Sequence, residues 1–417
     1  MRARYLWIPL TLAIIAIPIG FQWMKWTQSG SGSGLYSHDW SPDPVQGYWD
    51  PAAFYQSPTS VVGVFEQQQC IQCHQGVTPS IVNDWRDSRH AKAEQPVACP
   101  ACHGSDHQAL QLPTPEVCGN CHAQQHDEFT DEARYGFPSH VLAMERAVDA
   151  PHFVDKPKAE VQSCVQCHSV ATKCDSCHTR HRFDAAEARR PEACITCHSG
   201  PPHPDAETYF ASAHGQLYLQ EGDEWDWSKP LRKGNYKAPS CAYCHMESGR
   251  HQVADKAIWK FGIKEINPNT SANQILRQRW VDKCSDCHEP EQARTWLKGM
   301  DQERKRAWNK LYAAEQALRE VRQNQAFIPP TGARPGYPSS RWDAYFPRER
   351  IGFFEGQAAA FYNVSPIERD YFEMWYFDNL GAYKGAAHGD TQQVIEGHLA
   401  MDNKLDTIRS DAQRLID

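Results

Sequence analysis

The sequence predicts a mainly helical protein with much irregular chain, in which a compact core threaded by one repeated motif is followed by a bundle of long helices. Two observations carry this. All sixteen cysteines fall in Cys-x-x-Cys-His motifs, and the eight motifs lie between Cys70 and His288, 219 residues or about 27 per motif. After His288 cysteine stops, and apolar residues recur at alternating spacings of four and three, the period of packed helices. The 417 residues give room for about two to three ordinary domains. The pattern divides the chain into 1–27, an anchor or signal, and 28–64, a linker and extension. The motif domain, 65–289, and a C-terminal helical domain, 290–417, follow.

The N-terminal segment reads MRARYLWIPLTLAIIAIPIGFQWMKW. Arg2 and Arg4 precede an apolar run from Tyr5 to about Met24, close to the roughly 20 residues that a spanning helix needs. The basic residues favour a cytoplasmic N-terminus, and Trp23 and Trp26 suit the outer interface. No clear small-x-small cleavage site follows, and QSGSGSG at 28–34 reads as a flexible tether. The expectation is an uncleaved anchor that holds residues 35–417 on the periplasmic side of the cytoplasmic membrane. The alternative is a signal peptide removed on export to the periplasm. Net charge is −8, from 51 acidic and 43 basic residues, and no segment is strongly basic, which argues against nucleic acid as a partner.

The cysteine pairs are Cys70/Cys73, Cys99/Cys102, Cys118/Cys121, Cys164/Cys167, Cys174/Cys177, Cys194/Cys197, Cys241/Cys244 and Cys284/Cys287. The histidines that close them are His74, His103, His122, His168, His178, His198, His245 and His288. This is the signature of c-type haem attachment. Two thiols three residues apart each add to one haem vinyl group, and the next residue lies under the iron, where imidazole makes the proximal bond. Zinc ribbons also use Cys-x-x-Cys but do not require histidine next, and here it follows in all eight cases. An exported protein usually spends cysteine on disulfides, but this spacing leaves none for that. Eight covalently bound haems on so short a stretch leave too little chain to wrap each one separately. The haems then pack against one another, act as the core and exchange electrons.

Twelve histidines remain, and the irons need second axial ligands. The candidates are His90, His107, His126, His140, His152, His181, His214 and His251. His107, His126 and His181 follow a proximal histidine by four, four and three residues. So short a tether keeps each near the same face of its own haem, so each is better placed to ligate a neighbouring one. His90, in DWRDSRHA, and His214, in YFASAHGQ, sit in helix-like stretches. His38 and His398 read as bystanders. His203, in CHSGPPH between Pro202 and Pro204, is either another ligand or a group kept free for chemistry.

In the tail, residues 290–326 read as one helix with a seam of Ala307, Leu311, Ala314, Leu318 and Val321. PPTGARPGYP breaks it. Ser365-Pro366-Ile367-Glu368 is a capping box with proline at the first helical position, opening a helix through YFEMWYFDNLGAYKG. The aromatics Tyr371, Phe372, Trp375, Tyr376 and Phe377 on it read as packing. A last helix follows Asp390, striped by Val394, His398, Met401, Leu405, Ile408, Ala412 and Leu415. Periodicity alone leaves open whether the stripes face an internal bundle or a second subunit.

The stretch KCDSCHTRHRFDAAEARRPEACITCHSGPPHPDAETYFASAHGQ, residues 173–216, and the tail ERDYFEMWYFDNLGAYKGAAH resemble the octahaem hydroxylamine oxidoreductase family, as do the number and order of motifs. The resemblance covers most of residues 65–415. It implies a helical subunit that forms a homotrimer through its C-terminal helices. It also implies seven haems with two axial histidines and one with an open face, the fourth, on Cys164, Cys167 and His168. An Asp-His pair after the sixth motif overhangs that face in the family; here the pair reads Pro202-His203. By the same resemblance His203 and His168 are the catalytic residues. Oxidative members carry a tyrosine, bonded to the catalytic haem of the next subunit, shortly after the position of His388. This chain has GDTQQVIEG there, and Tyr383 belongs to the preceding helix. Members without that bond resemble a branch that runs reductively on nitrite or related nitrogen oxides.

The function expected is therefore interconversion of hydroxylamine, nitric oxide and nitrite, leaning towards reduction to hydroxylamine or ammonium. Electrons would be exchanged with a partner cytochrome or a quinone-linked membrane cytochrome. The alternatives are a pure electron-transfer cytochrome and an octahaem reductase of sulfur oxyanions.

Overall fold

The computed structural model describes residues 61–131, 140, 173–200, 204–253, 269–327 and 365–417. The apolar run of the N-terminus, the fourth motif with Cys164, Cys167 and His168, His152, the Pro202-His203 step and PPTGARPGYP lie outside these residues. The described chain is helical, as expected, and its β pairing is confined to isolated bridges between Val64 and Asp106 and between Lys233 and Tyr236. No helix among the described residues is long and apolar enough to cross a membrane.

The motif region is made of short helices. The longer ones are α1, Gln67–Val77, and α2, Pro79–Asp87, then α3, Ala123–Thr130, α4, Asp205–Ala211, α5, Ala213–Glu221, and α6, Ser271–Cys284. The first motif lies within α1, and Cys284 of the last closes α6. Others form single helical turns, Cys99–His103 and Cys241–His245. In four further motifs the histidine N–H returns to the carbonyl of the first cysteine: His122 to Cys118 at 2.9 Å, His178 to Cys174 at 3.1 Å, His198 to Cys194 at 2.9 Å and His288 to Cys284 at 2.9 Å. That bond has a chemical consequence. Positions i, i+3 and i+4 of a helical turn share one face, so both thiols and the imidazole point the same way.

The tail forms α7, Pro290–Gln323, then α8, Pro366–Glu373, α9, Asn379–His388, and α10, Thr391–Ile416. With 34 residues, α7 is about 50 Å long. The capping box at Ser365 forms as predicted, with the Ser365 N–H donating to Glu368 Oε2 at 3.0 Å and the Ser365 hydroxyl donating to the same oxygen at 2.7 Å. The helix it opens is continuous but widens into one π turn, Met374–Asp378, between α8 and α9. Gly389, at φ 92°, stops α9 in the left-handed conformation that glycine tolerates best, and Asp390 caps α10 by accepting from the Gln393 N–H at 3.0 Å.

The predicted stripes of α7 and α10 are spent inside the chain. Leu311, Ala314 and Val321 of α7 and Met401 and Ile408 of α10 have no exposed surface, and they share one core with Tyr371, Met374 and Trp375. Phe372 joins this core, Tyr376 packs against its edge, and Phe377 is exposed. The Tyr371 hydroxyl donates to buried Glu315 at 2.7 Å. His398, read as a bystander, is buried here against Glu303 at 2.9 Å. The α9 and α10 backbones touch: a Cβ at Gly397 would come within 2.6 Å of the Ala382 nitrogen. A second core, of Tyr209, Tyr218, Trp225, Trp227 and Tyr236, supports the chain between the sixth and seventh motifs.

Candidate functional site

None of the fourteen described cysteines is paired in a disulfide. The two positions of a motif are covered unequally. The first cysteine is half-buried in every described motif, whereas Cys73, Cys121, Cys177 and Cys287, all at second positions, are exposed. Cys102, Cys197 and Cys244 are half-buried. Cysteine used only for packing is among the most buried residues, yet the polypeptide fully encloses none of these fourteen. The reason is local. Each motif turn is too short to fold over its own second thiol, whose N–H is tied back to the first cysteine: Cys121 to the Cys118 carbonyl at 3.2 Å, Cys197 to Cys194 at 3.2 Å and Cys287 to Cys284 at 3.1 Å.

The thiols lie close enough to influence one another. Within the first motif, burial raises Cys70 and the charge of Cys73 adds to it. Between motifs, Cys99 of the second is pushed up by burial and by Cys70 of the first, and Cys102 by burial and by Cys118 of the third. A hydrogen bond with Cys174 of the fifth motif pulls Cys118 down to about 7. Burial and Cys194 of the sixth raise Cys177, and a hydrogen bond with Cys241 of the seventh raises Cys194. The Tyr243 hydroxyl in the seventh motif donates to Asp286 in the eighth at 2.8 Å; burial and Asp286 push that hydroxyl up, and Cys287 and Cys244 lie near enough to add to it. The described motifs thus form one contiguous track from the first to the eighth.

Four proximal histidines face a second histidine. Ring centroids are 6.1 Å apart for His122 and His90, 5.9 Å for His103 and His181, 6.2 Å for His178 and His251, and 5.9 Å for His288 and His214. A metal held by an imidazole nitrogen at about 2 Å on each side sets the centroids about 6 Å apart, so these pairs have the spacing that two axial ligands require. Burial lowers the affinity of His90, His181, His214 and His251 for protons, and a neighbouring histidine lowers it further in each case. Neutral imidazole is the form that binds metal.

The partners come from distant sequence. His181 follows the fifth motif but faces the second, and His251 follows the seventh but faces the fifth. His90 and His214 are presented by the same local device. A helix stops at a buried serine, Ser88 or Ser212, and a new one starts with the histidine as its second residue. Each serine hydroxyl donates to the carbonyl three residues back at 2.6 Å, Trp85 or Tyr209, and accepts from the N–H three residues on at 3.2 Å.

Outer partners fix several ring tautomers. His103 Nδ1–H donates to the Gln111 carbonyl at 2.9 Å, and His251 Nδ1–H to the Gly249 carbonyl at 3.0 Å. Donation at Nδ1 leaves the Nε2 lone pair for a metal. His74 Nδ1 meets the Thr78 hydroxyl at 2.8 Å and His198 Nδ1 meets Asp205 Oδ2 at 3.4 Å. Thiols outside any disulfide and not enclosed by the chain, one-faced turns, facing neutral rings and fixed tautomers together fit covalently attached haem.

The remaining candidates make other contacts. His107 packs edge-on against Phe65, and its Nδ1 is buried with no hydrogen bond. His126 lies over Gly119 of the third motif, where a Cβ would come within 2.8 Å of its ring, and His140 stacks on Phe129. Sequence reasoning passed over His388. It ends α9 but lies beside the seventh motif, where burial and His388 lower His245 to about 3, and burial lowers His388 itself to about 4. Both residues are half-buried. The Thr208 hydroxyl donates to the Pro204 carbonyl at 2.7 Å, so at 3.0 Å it accepts from His388 Nδ1–H, again leaving Nε2 free. The signal available in the sequence was weak, a lone histidine a hundred residues past the last motif.

Residues 96–335 match the family described as "Seven times multi-haem cytochrome CxxCH". The chain is 31% identical over 453 residues to a probable nitrite reductase-hydroxylamine oxidoreductase fusion protein of Kuenenia stuttgartiensis, covering 86% of this chain and 53% of that protein. It therefore spans about half the length of that curated relative. Among solved structures it is similar to the reducing HAO-like protein complex of Kuenenia stuttgartiensis, with a TM-score of 0.72 and 29% identity over 92% of this chain and 93% of that one. A hypothetical multiheme protein shares the fold, with a TM-score of 0.60 and 15% identity over 83% of this chain and 95% of the other.

Proposed function

This chain belongs to the multihaem cytochromes c, among their hydroxylamine oxidoreductase-like members, and from that premise we propose that it is an octahaem enzyme that reduces nitrite or a related nitrogen oxide to hydroxylamine or ammonium. When bound, c-type haem supplies one-electron transfer along the array and, at one iron with an open face, a binding site for a small nitrogen ligand. The observation that carries the reading is the set of four facing histidine pairs at 5.9–6.2 Å on a contiguous track of motifs, in a chain similar to a reducing HAO-like protein.

The residues divide the work. The sixteen cysteines hold eight haems, and His74, His103, His122, His168, His178, His198, His245 and His288 are the proximal ligands. His90, His181, His214 and His251 would supply the second ligands of the irons at His122, His103, His288 and His178, and His388, beside His245, would serve the seventh motif. By this reading His168 would hold the iron with an open face and His203 would deliver protons to the substrate, because each electron pair added to a nitrogen oxide must be matched by protons. Two features support reduction over oxidation. Pro202 stands where a carboxylate would help His203 accept protons, and Tyr383 is buried in its own chain against Leu276, Trp280 and Met300 rather than presented to a neighbour. The protein works on the periplasmic side of the membrane as a homotrimer and takes electrons from a quinone-linked or soluble cytochrome.

Turnover by the purified holoprotein, assayed in parallel with nitrite, hydroxylamine, sulfite and tetrathionate, tests the reading. Nitrite reduction is expected to exceed hydroxylamine oxidation, and a preference for the sulfur oxyanions would overturn it. An EPR spectrum with no high-spin haem would leave a pure electron conduit. His203→Ala should keep all eight haems and lose turnover; a newly high-spin haem instead would make His203 a ligand. A tyrosine crosslink on the fourth haem, found by mass spectrometry of haem peptides, would reverse the direction.

A further inference from the structure

Lys384, 4% exposed, lies on α9 in the C-terminal bundle, yet its ammonium points into the motif region. A buried lysine is costly unless it is paired. Its partner is Asp205, the first residue of α4, whose Oδ1 is 2.5 Å from Lys384 Nζ. The other oxygen of the same carboxylate, Oδ2, is 3.4 Å from Nδ1 of His198, the proximal histidine of the sixth motif. The carboxylate therefore bridges an ammonium in one region and a haem-ligating imidazole in the other, one oxygen for each. Burial would push Asp205 up, but the His198 hydrogen bond and the charge of Lys384 hold it well below the usual carboxylate range. The outer partners of His74 and His103 differ in kind, being a neutral hydroxyl and a neutral backbone carbonyl.

We infer that Asp205 and Lys384 are positioning residues that set the reduction potential of the iron bound at His198. The inference rests on the haem assignment proposed above. A carboxylate accepting from the Nδ1–H of a metal-bound imidazole makes that ligand more basic. A more basic, anion-backed ligand favours the ferric over the ferrous state, so the potential falls. The couple is the one-electron ferric/ferrous step, and no bond forms or breaks in it. Lys384 fixes the carboxylate in register with His198 and offsets part of its charge. Because Lys384 sits on α9, the packing of the C-terminal bundle against α4 places a charge beside the sixth haem. A lower potential makes that haem, once reduced, a stronger electron donor, which suits the motif that leads into His203.

The test is a redox titration of the full-length holoprotein, followed by low-temperature EPR and optical spectra, with haem content measured first by mass. Wild-type protein without covalently bound haem would sink the functional reading before this one is reached. Asp205→Asn should move the midpoint of the haem at His198 most, in the positive direction, with a smaller shift at the haem of His245 and His388, whose rings feel the same carboxylate, and leave the rest nearly still. Lys384→Gln should move the same midpoint in the negative direction. Should an unpaired buried charge prevent either variant from folding, the doubly neutral Asp205→Asn/Lys384→Gln protein carries the test. It should still shift that haem positive, by less than Asp205→Asn alone. Asp205→Glu, which restores the charge, should return the midpoint towards the wild-type value. Midpoints that stay put in the double variant, or single variants that shift in the same direction or move every haem alike, would overturn the inference.

Discussion

Residues 61–131 and the described residues of 290–417 are both helical, but they bury different things. In the first stretch Val82 is the one apolar side chain that is fully buried, and α1 and the motif turns contribute no buried residue. In the second, Leu311, Ala314, Val321, Tyr371, Met374, Met401 and Ile408 lie at zero exposure in one continuous core. Apolar burial contributes about 25 cal/mol per Å², so the bundle can be held by its own side chains. The motif stretch offers too little apolar surface for that and depends on covalently attached groups for its core. The comparison teaches that one chain can be helical for two reasons. In one region turns are short because they position thiols and imidazoles; in the other, helices are long because a stripe must stay in register over many turns.

Removing an attachment site should separate the two regions most sharply. Replacing Cys118 and Cys121 with serine should abolish hydrogen-exchange protection over 61–131 and leave protection of α7 and α10 intact. Equal loss in both regions would show that the bundle also depends on the motifs. The reverse experiment is Leu311→Ala, which should cost the bundle about 2–5 kcal/mol by creating a cavity while haem content and the EPR spectrum stay unchanged. Chemical denaturation followed by far-UV circular dichroism would measure it.

A pH effect of at most about 3 kcal/mol belongs to the bundle as well. Burial raises Asp378, in the π turn, to about 6, with Lys404 opposing and Glu373 adding to the shift. An acid whose folded pKa lies above its unfolded value binds more protons when folded. Bundle stability should therefore fall as pH rises from about 4 to about 6. Asp378→Asn should flatten that slope and raise stability at neutral pH, as thermal melts across the range would show. The smallest effect expected is at the serine caps. Ser88→Ala or Ser212→Ala should cost about 1 kcal/mol and broaden the low-spin EPR signal of one haem, whereas threonine at the same positions should restore it.

Much of the chemistry was legible in the sequence, because c-type attachment is written in local spacing. Cys-x-x-Cys-His needs a single helical turn to bring its groups to one face, and periodicity with a capping box was enough to place α7, α8 and α10. How far each thiol is covered was not legible: Cys73 and Cys287 are exposed while Cys197 and Cys244 are half-buried, although all four hold the same motif position. The partner histidines were harder still. His181 sits three residues after His178 yet faces His103, and the rule that so short a tether sends it to a neighbouring motif named no particular one. His388 was missed because nothing near it in sequence marks it; packing of α9 against α4 brings it beside His245.

What the sequence determined by itself is what one turn of helix or one stripe can encode: the number of motifs, the proximal histidines, the helical tail and its caps. Tertiary structure alone decided which histidine faces which, that the C-terminal stripes close on one another within the chain, and that Lys384 reaches Asp205. The physical reason is range. Spacing within a turn is fixed by backbone geometry, whereas a pairing across 180 residues, such as Thr208 with His388, exists only once separate helices have packed.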